Sequence, residues 1–223
     1  MKGKGLFITA TGTDVGKTYV SGLIVKKLCE AGYSAGYYKA ALSGADTIED
    51  SDAGYVKNVS GISQSLESLV SYVYAPAGSP HLAAQLAGNP VNLEKVQRDY
   101  EHVQSQYGYV TVEGSGGIVC PIRWDDREKL LLEDIIKTLK LPALVVADSG
   151  LGTINTTVLT TEYLKCRGIE IKGIIMNHFA GSAMHEDNRK MIEELTELPV
   201  VAVVGKGDEN LEIEAKKLAA LYL

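Results

Sequence analysis

The stretch Gly12-Thr13-Asp14-Val15-Gly16-Lys17-Thr18 follows the apolar run Leu6-Phe7-Ile8-Thr9-Ala10 and leads into Tyr19–Leu28, where Val20, Leu23, Ile24 and Leu28 recur at helical spacing. A glycine-containing turn between a strand and a helix points backbone N–H groups at one place, and that place suits phosphate oxygens. Lys17 can lie along the β- and γ-phosphates, and the Thr18 hydroxyl can ligate a magnesium ion. The pattern is a variant phosphate loop, because G-x-x-x-x-G-K-[ST] would put glycine where the chain has Thr11. The chemistry it favours is binding of a nucleoside triphosphate.

Further along, Tyr37-Tyr38-Lys39-Ala40-Ala41-Leu42-Ser43-Gly44 brings a lysine and a serine to the end of a second strand. Lys39 could offset charge on transferring phosphoryl oxygens and Ser43 could hold a substrate's polar end; alternatively, Lys39 is a solvated strand-end residue. In the acidic group Asp46, Glu49, Asp50 and Asp52, only Asp52 stands at a helix start, as a simple N-cap or as a carboxylate facing a metal held by Thr18. Val110-Thr111-Val112-Glu113 reads as a buried strand ending in a carboxylate ahead of Gly114-Ser115-Gly116-Gly117. Burying Glu113 alone is costly, so a magnesium ion or a lysine is expected beside it. Asp148-Ser149-Gly150-Leu151-Gly152-Thr153-Ile154-Asn155 ends another strand and opens a helix, whose free N–H groups suit a substrate carboxylate and equally an ordinary βα turn. Asn177 can offer a donor and an acceptor to a nucleobase edge.

Elements that position such residues follow from the pattern. A second strand begins at Ser34–Tyr38, and short Val- and Ile-rich runs at Tyr109–Val112, Ala143–Ala147, Ile169–Met176 and Val200–Val204 alternate with amphipathic segments. The spacing predicts helices over Asp52–Val59, Pro80–Ala87, Leu93–Tyr107, Lys129–Leu139, Thr153–Arg167, Ala183–Leu198 and Asn210–Leu221. The expected fold is α/β: a doubly wound, mainly parallel sheet of the P-loop NTPase kind with helices on both faces, one domain over residues 1–223. The irregular stretches Leu42–Ser51, Tyr74–Ser79 and Gly114–Asp126 are where loops after strand ends would form a ligand crevice.

Composition narrows the function. Apolar residues are 45% and charged residues 22%, as in ordinary globular proteins. A net charge of −6, without a Lys/Arg block, removes the attraction that nonspecific nucleic-acid binders use. Cys29, Cys120 and Cys166 are too scattered for a disulfide framework or a Cys-x-x-Cys site and read as reduced, packed thiols. His81, His102, His178 and His185 lack metal-ligand spacing, and no G-x-S-x-G elbow marks a serine nucleophile. With no secretory leader after Met1 and no apolar run near the roughly 20 residues of a bilayer span, no membrane and a cytoplasmic location are expected.

Taken together, the motifs resemble the ATP-dependent dethiobiotin synthetases. The resemblance rests on Thr9–Thr18, Lys39 with Ser43-Gly44, Ser51-Asp52-Ala53, Ser79-Pro80-His81, Val112–Gly117 and Leu151–Asn155, in that order along nearly the whole chain. It implies that 7,8-diaminopelargonic acid takes up carbon dioxide as a carbamate, accepts the ATP γ-phosphoryl group and closes to a cyclic urea. Carried over by position, Thr18, Asp52 and Glu113 would hold Mg²⁺, and Lys17, Lys39 and Thr13 would be catalytic. The nucleotide would lie on Asp14, Val15, Gly16, Lys17, Thr18, Tyr19, Asp52, Glu113, Gly114, Ser115, Gly116, Asn177, His178, Gly205, Lys206 and Gly207. Substrate would meet Ser43 and, from the neighbouring subunit of a homodimer, Gly150, Leu151, Gly152 and Asn155. Ala10, Asp14 and Ala40 depart from the family's common residues, and Gly205-Lys206-Gly207 stands where many relatives have Ile-Pro. Other P-loop ligases of the amidoligase or cobyrinate type share these expectations of fold. A partitioning ATPase would need a signature lysine where this chain has Gly12, and a basic amphipathic C-terminal helix, whereas Asn210–Leu221 mixes both charges.

Overall fold

A computed structural model describes residues 2–223. The chain runs through β1 (Lys4–Ala10), α1 (Lys17–Glu30), β2 (Ala35–Ser43), α2 (Asp52–Ser60), β3 (Val70–Tyr74), α3 (Pro80–Leu86) and α4 (Leu93–Gln106). It continues as β4 (Tyr109–Glu113), the hairpin strands β5 (Pro121–Trp124) and β6 (Lys129–Leu131), α5 (Leu132–Leu139) and β7 (Ala143–Asp148). It finishes with α6 (Thr153–Cys166), β8 (Ile171–Asn177), α7 (Ala183–Thr196), β9 (Val200–Val204) and the short α8 (Ala215–Ala219). Among the described residues, seven strands form one sheet in the order β3-β2-β4-β1-β7-β8-β9, and every pairing in it is parallel.

Alternation along β1 shows how the sheet is covered. Leu6 and Ile8 point into a cluster with Val20, Leu23 and Ile24 of α1, Val56 of α2 and Leu218 of α8. Phe7, between them, points into the opposite cluster with Val96 and Tyr100 of α4, Ile135 of α5, Leu164 of α6 and Ile192 of α7. Strands buried on both faces need continuous apolar runs, which is why β1 and β7 carry them. The outer strands β3 and β9 instead alternate buried and half-buried residues.

Several sequence-based boundaries move. The strand expected to begin at Ser34–Tyr38 runs from Ala35 to Ser43, and Lys39 lies inside it, 4% exposed, not solvated at its end. Lys129–Leu131 pairs with β5, and the helix expected from Lys129 starts at Leu132. Of Asn210–Leu221, only Ala215–Ala219 is helical. The expectations contained no β3, which the serine and four aromatic or β-branched residues of Val70–Tyr74 form at the sheet edge. Cys120 is buried and Cys29 half-buried, but Cys166 is exposed, against the expectation of packed thiols. No helix among the described residues is long and apolar enough to cross a membrane.

The end of the chain helps to hold the start of β1. Leu223 N–H donates to Gly5 C=O and Gly5 N–H to Leu223 C=O at 3.2 and 2.7 Å. Tyr222, 1% exposed, shares a 2.6 Å hydrogen bond with Thr111 Oγ1 and packs edge-on against Tyr109. Tyr222→Ala is expected to cost about 3–5 kcal/mol through the cavity it leaves, and Tyr222→Phe about 1 kcal/mol through the lost hydroxyl. Urea denaturation midpoints check both.

Candidate active site

The phosphate loop spans the turn from β1 to α1. No side chain caps α1; its N-cap is Gly16, in the left-handed region at φ 84°. Two constraints make that position glycine: a Cβ there would be strained, and it would lie 2.0 Å from Asn177 Nδ2. Asn177, at the end of β8, donates from Nδ2 to Val15 C=O at 2.9 Å, so the loop is tied to the sheet. Uncapped amides at the start of α1 leave a positive helix end facing the turn.

Lys39 and Glu113 are direct partners in the β2–β4 register. Lys39 Nζ donates to Glu113 Oε1 at 2.8 Å and to Asp52 Oδ2 at 2.5 Å. Thr18 Oγ1 donates to the same Glu113 Oε1 at 2.8 Å, and the Tyr37 hydroxyl to Oε2 at 3.1 Å. Of the two companions expected for buried Glu113, the lysine is present. Ser51, not Asp52, caps α2 by accepting from Ala53 N–H, which frees the first-turn Asp52 carboxylate for Lys39.

Electrostatics bind the group together. Burial works against the Lys39 ammonium, but Glu113 and Asp52 together outweigh it and hold its pKa above the ordinary lysine value. Burial likewise pushes the Asp52 carboxyl up, and Lys39, Lys17 and Thr18 together bring it below the ordinary range. Lys17, 9% exposed, has its pKa lowered, chiefly by burial and also by Lys39, against the pull of Glu113 and Asp52. Thr18, Asp52 and Glu113 are hard oxygen donors gathered at one point, a set that fits Mg²⁺.

A cleft of about 530 Å³ opens over this cluster, lined by Thr13, Lys39, Ser43, Asp52, Ser79, Ser115, Gly116 and Cys120. Ser43 and Ser115 are fixed by donating to Gly78 C=O and Ala41 C=O at 2.6 and 2.8 Å. Gly114 lies where a Cβ would press on Phe7 and Leu132. Asp14, exposed on the loop, has φ 61°.

Other expected residues lie along the same rim but outside this cleft. His178 contacts Asp148 Oδ2 through Nδ1 at 2.9 Å, and Asp148 Oδ1 accepts from Gly150 N–H at 2.7 Å. Leu151 is 95% exposed and, with Gly150, Gly152 and Asn155, does not line the cleft of its own chain. Gly205-Lys206-Gly207 follows β9 and is closed by Asp208, which accepts from Gly205 N–H at 2.7 Å. The Asp208 carbonyl accepts from the Tyr19 hydroxyl, placing this turn beside the start of α1. Sequence reasoning missed Tyr37, Cys120 and Asp208. Tyr37 was detectable, because it lies two residues before Lys39 and so on the same strand face.

Removing one partner of the buried pair exposes its cost. Lys39→Met, which leaves Glu113 without its counter-charge, is expected to lower stability by about 3–5 kcal/mol, and adding Glu113→Gln is expected to recover most of it. Urea melts of the two variants check this. Because the folded pKa of Asp52 is lowered, its contribution is full above the ordinary carboxylate range and is lost as pH falls through the lowered value. Denaturation midpoints followed below about pH 4 should therefore fall less steeply for Asp52→Asn than for the parent.

A family model described as an AAA domain matches residues 4–210. The ATP-dependent dethiobiotin synthetase BioD of Brachyspira hyodysenteriae is 50% identical over 220 residues, covering 98% of this chain and 99% of the relative. The protein of the same name from Clostridium botulinum (strain 657 / Type Ba4) is 48% identical over 224 residues, covering 98% of each. Among solved structures, the MinC:MinD cell division complex of Aquifex aeolicus matches with a TM-score of 0.59 at 14% identity, covering 92% of this chain and 82% of that one. A ParA family ATPase from Chlorobium tepidum matches with a TM-score of 0.58 at 12% identity, covering 94% and 87%. At such identities the structural likeness is one of fold. Relatives matching from end to end at about half identity carry more: the chain belongs to the ATP-dependent dethiobiotin synthetase family.

Proposed function

We propose that this chain, acting as one domain over residues 1–223, converts 7,8-diaminopelargonic acid, carbon dioxide and ATP to dethiobiotin, ADP and phosphate. The observation that carries this reading is the buried Lys39, held between Asp52 and Glu113 beside the phosphate loop and lining the cleft. One amine of the substrate adds to carbon dioxide and loses a proton, giving a carbamate. A carbamate oxygen then attacks the γ-phosphorus and ADP leaves, forming a carbamic-phosphoric anhydride. Attack by the second amine on the carbonyl carbon expels phosphate, and loss of that amine's proton leaves the ring closed as a neutral urea.

The chain's groups have definable parts in these steps. Backbone N–H groups of Asp14–Thr18 and the Lys17 ammonium bind the β- and γ-phosphates. Lys39 stabilises the charge shared by carbamate and transferring phosphoryl group, and its fixed partners mean that it needs no reorganisation to do so. Thr13, exposed at the mouth of the cleft, adds a hydroxyl, and Ser43 orients the diamine end. Thr18, Asp52 and Glu113 would hold Mg²⁺, which supplies charge neutralisation on the phosphates when bound. Asn177, His178 and the Gly205–Gly207 turn would read the base. In a homodimer, Gly150, Leu151, Gly152 and Asn155 would meet the substrate carboxylate in the neighbour's cleft; the exposure of Leu151 supports that role.

Purified protein incubated with ATP, Mg²⁺, bicarbonate and diaminopelargonate should yield the cyclic urea by mass spectrometry; nucleotide turnover without that product would refute the reading. Lys39→Ala is expected to reduce turnover about 10²–10³-fold while retaining much nucleotide binding.

A further inference from the structure

Tyr37 is wholly buried, and the mechanism above does not use it. Its hydroxyl donates to Glu113 Oε2 at 3.1 Å, whereas Oε1 accepts from Thr18 Oγ1 and Lys39 Nζ at 2.8 Å each. The two oxygens of one carboxylate thus have separate duties: Oε1 faces the phosphate loop, and Oε2 is held inside the protein. Tyr37 is itself held. Its N–H donates to Gln64 Oε1 at 2.9 Å, and Gln64 Nε2 donates back to its carbonyl at 2.8 Å. Gln64 is 1% exposed and occupies the flank of β2 before its pairing with β3 begins at Lys39. Phenylalanine would fill the same apolar space, so the hydroxyl serves Glu113.

We propose that Tyr37 is a positioning residue that makes Glu113 offer a single oxygen to a divalent cation and thereby favours Mg²⁺ over Ca²⁺. The proposal rests on the reading of Glu113 as a metal ligand. Mg²⁺ demands compact octahedral oxygen ligation, while Ca²⁺ takes more ligands, at longer distances, and readily accepts both oxygens of one carboxylate. The inward bond on Oε2 disfavours the second mode, while the first needs the cation to replace only one of the two donors on Oε1, Thr18 or Lys39. Groups that hydrogen-bond a ligand govern its orientation and the affinity of the site.

The test is competition with Mn²⁺, followed by electron paramagnetic resonance, on the full chain carrying a non-hydrolysable ATP analogue. Mg²⁺ and Ca²⁺ are titrated separately into the parent, Tyr37→Phe and Glu113→Gln. Tyr37→Phe is expected to shift the ratio of Mg²⁺ to Ca²⁺ affinity about tenfold toward Ca²⁺. A ratio within about twofold of the parent, with Glu113→Gln weakened for both ions, overturns the role of Tyr37 alone. Parent-like affinities in Glu113→Gln overturn the ligand reading and the proposal with it. Should Tyr37→Phe fail to fold, 3-fluorotyrosine at position 37 decides. Its stronger donor is expected to move the ratio further toward Mg²⁺, and an unchanged or reversed ratio overturns the proposal.

Discussion

The site depends on one ion pair buried between neighbouring strands. Lys39 and Glu113 face each other across β2 and β4, and neither can be taken from water without the other. This pair needs more than mutual attraction: Asp52 and Thr18 complete its hydrogen bonding on the cleft side and Tyr37 on the protein side. The parallel register is what sets it up. Pairing Ala35 with Tyr109 at the start of both strands brings residue 39 opposite residue 113 at the C-terminal end.

Everything else in the sheet serves to bring loops to that end. β1 lies between β4 and β7, so the phosphate loop emerges where the chain's path across the sheet reverses, the usual ligand position in doubly wound folds. β8 contributes Asn177 to the same loop from the other side. MinD and ParA proteins share this scaffold at low identity, and the differences between such proteins lie in what their loops carry.

Much of this was legible because two periodicities and a glycine-lysine-threonine turn are local signals. The phosphate loop, the central strands and the carboxylate ending β4 all follow from residues adjacent in sequence. What failed was set by tertiary context. Lys39 looked like a strand end because lysine is rarely buried, and only a partner far along the chain makes its burial tolerable. Asp52 looked like a cap until the neighbouring serine took that role. The edge strand β3 lacks a long apolar run, and the β5–β6 hairpin is too short to show a period. Tyr37 left a trace in its spacing from Lys39, but its partner oxygen is 76 residues away.

The bond from Asn177 to the Val15 carbonyl has an entropic meaning. A turn whose conformation is already fixed by the neighbouring strand, with its glycine hemmed in by the same side chain, has little freedom left to surrender when a ligand arrives. Preorganisation of that kind lets contacts to phosphate appear almost undiminished as affinity. It also makes the end of β8, distant in sequence, part of what keeps the loop in shape.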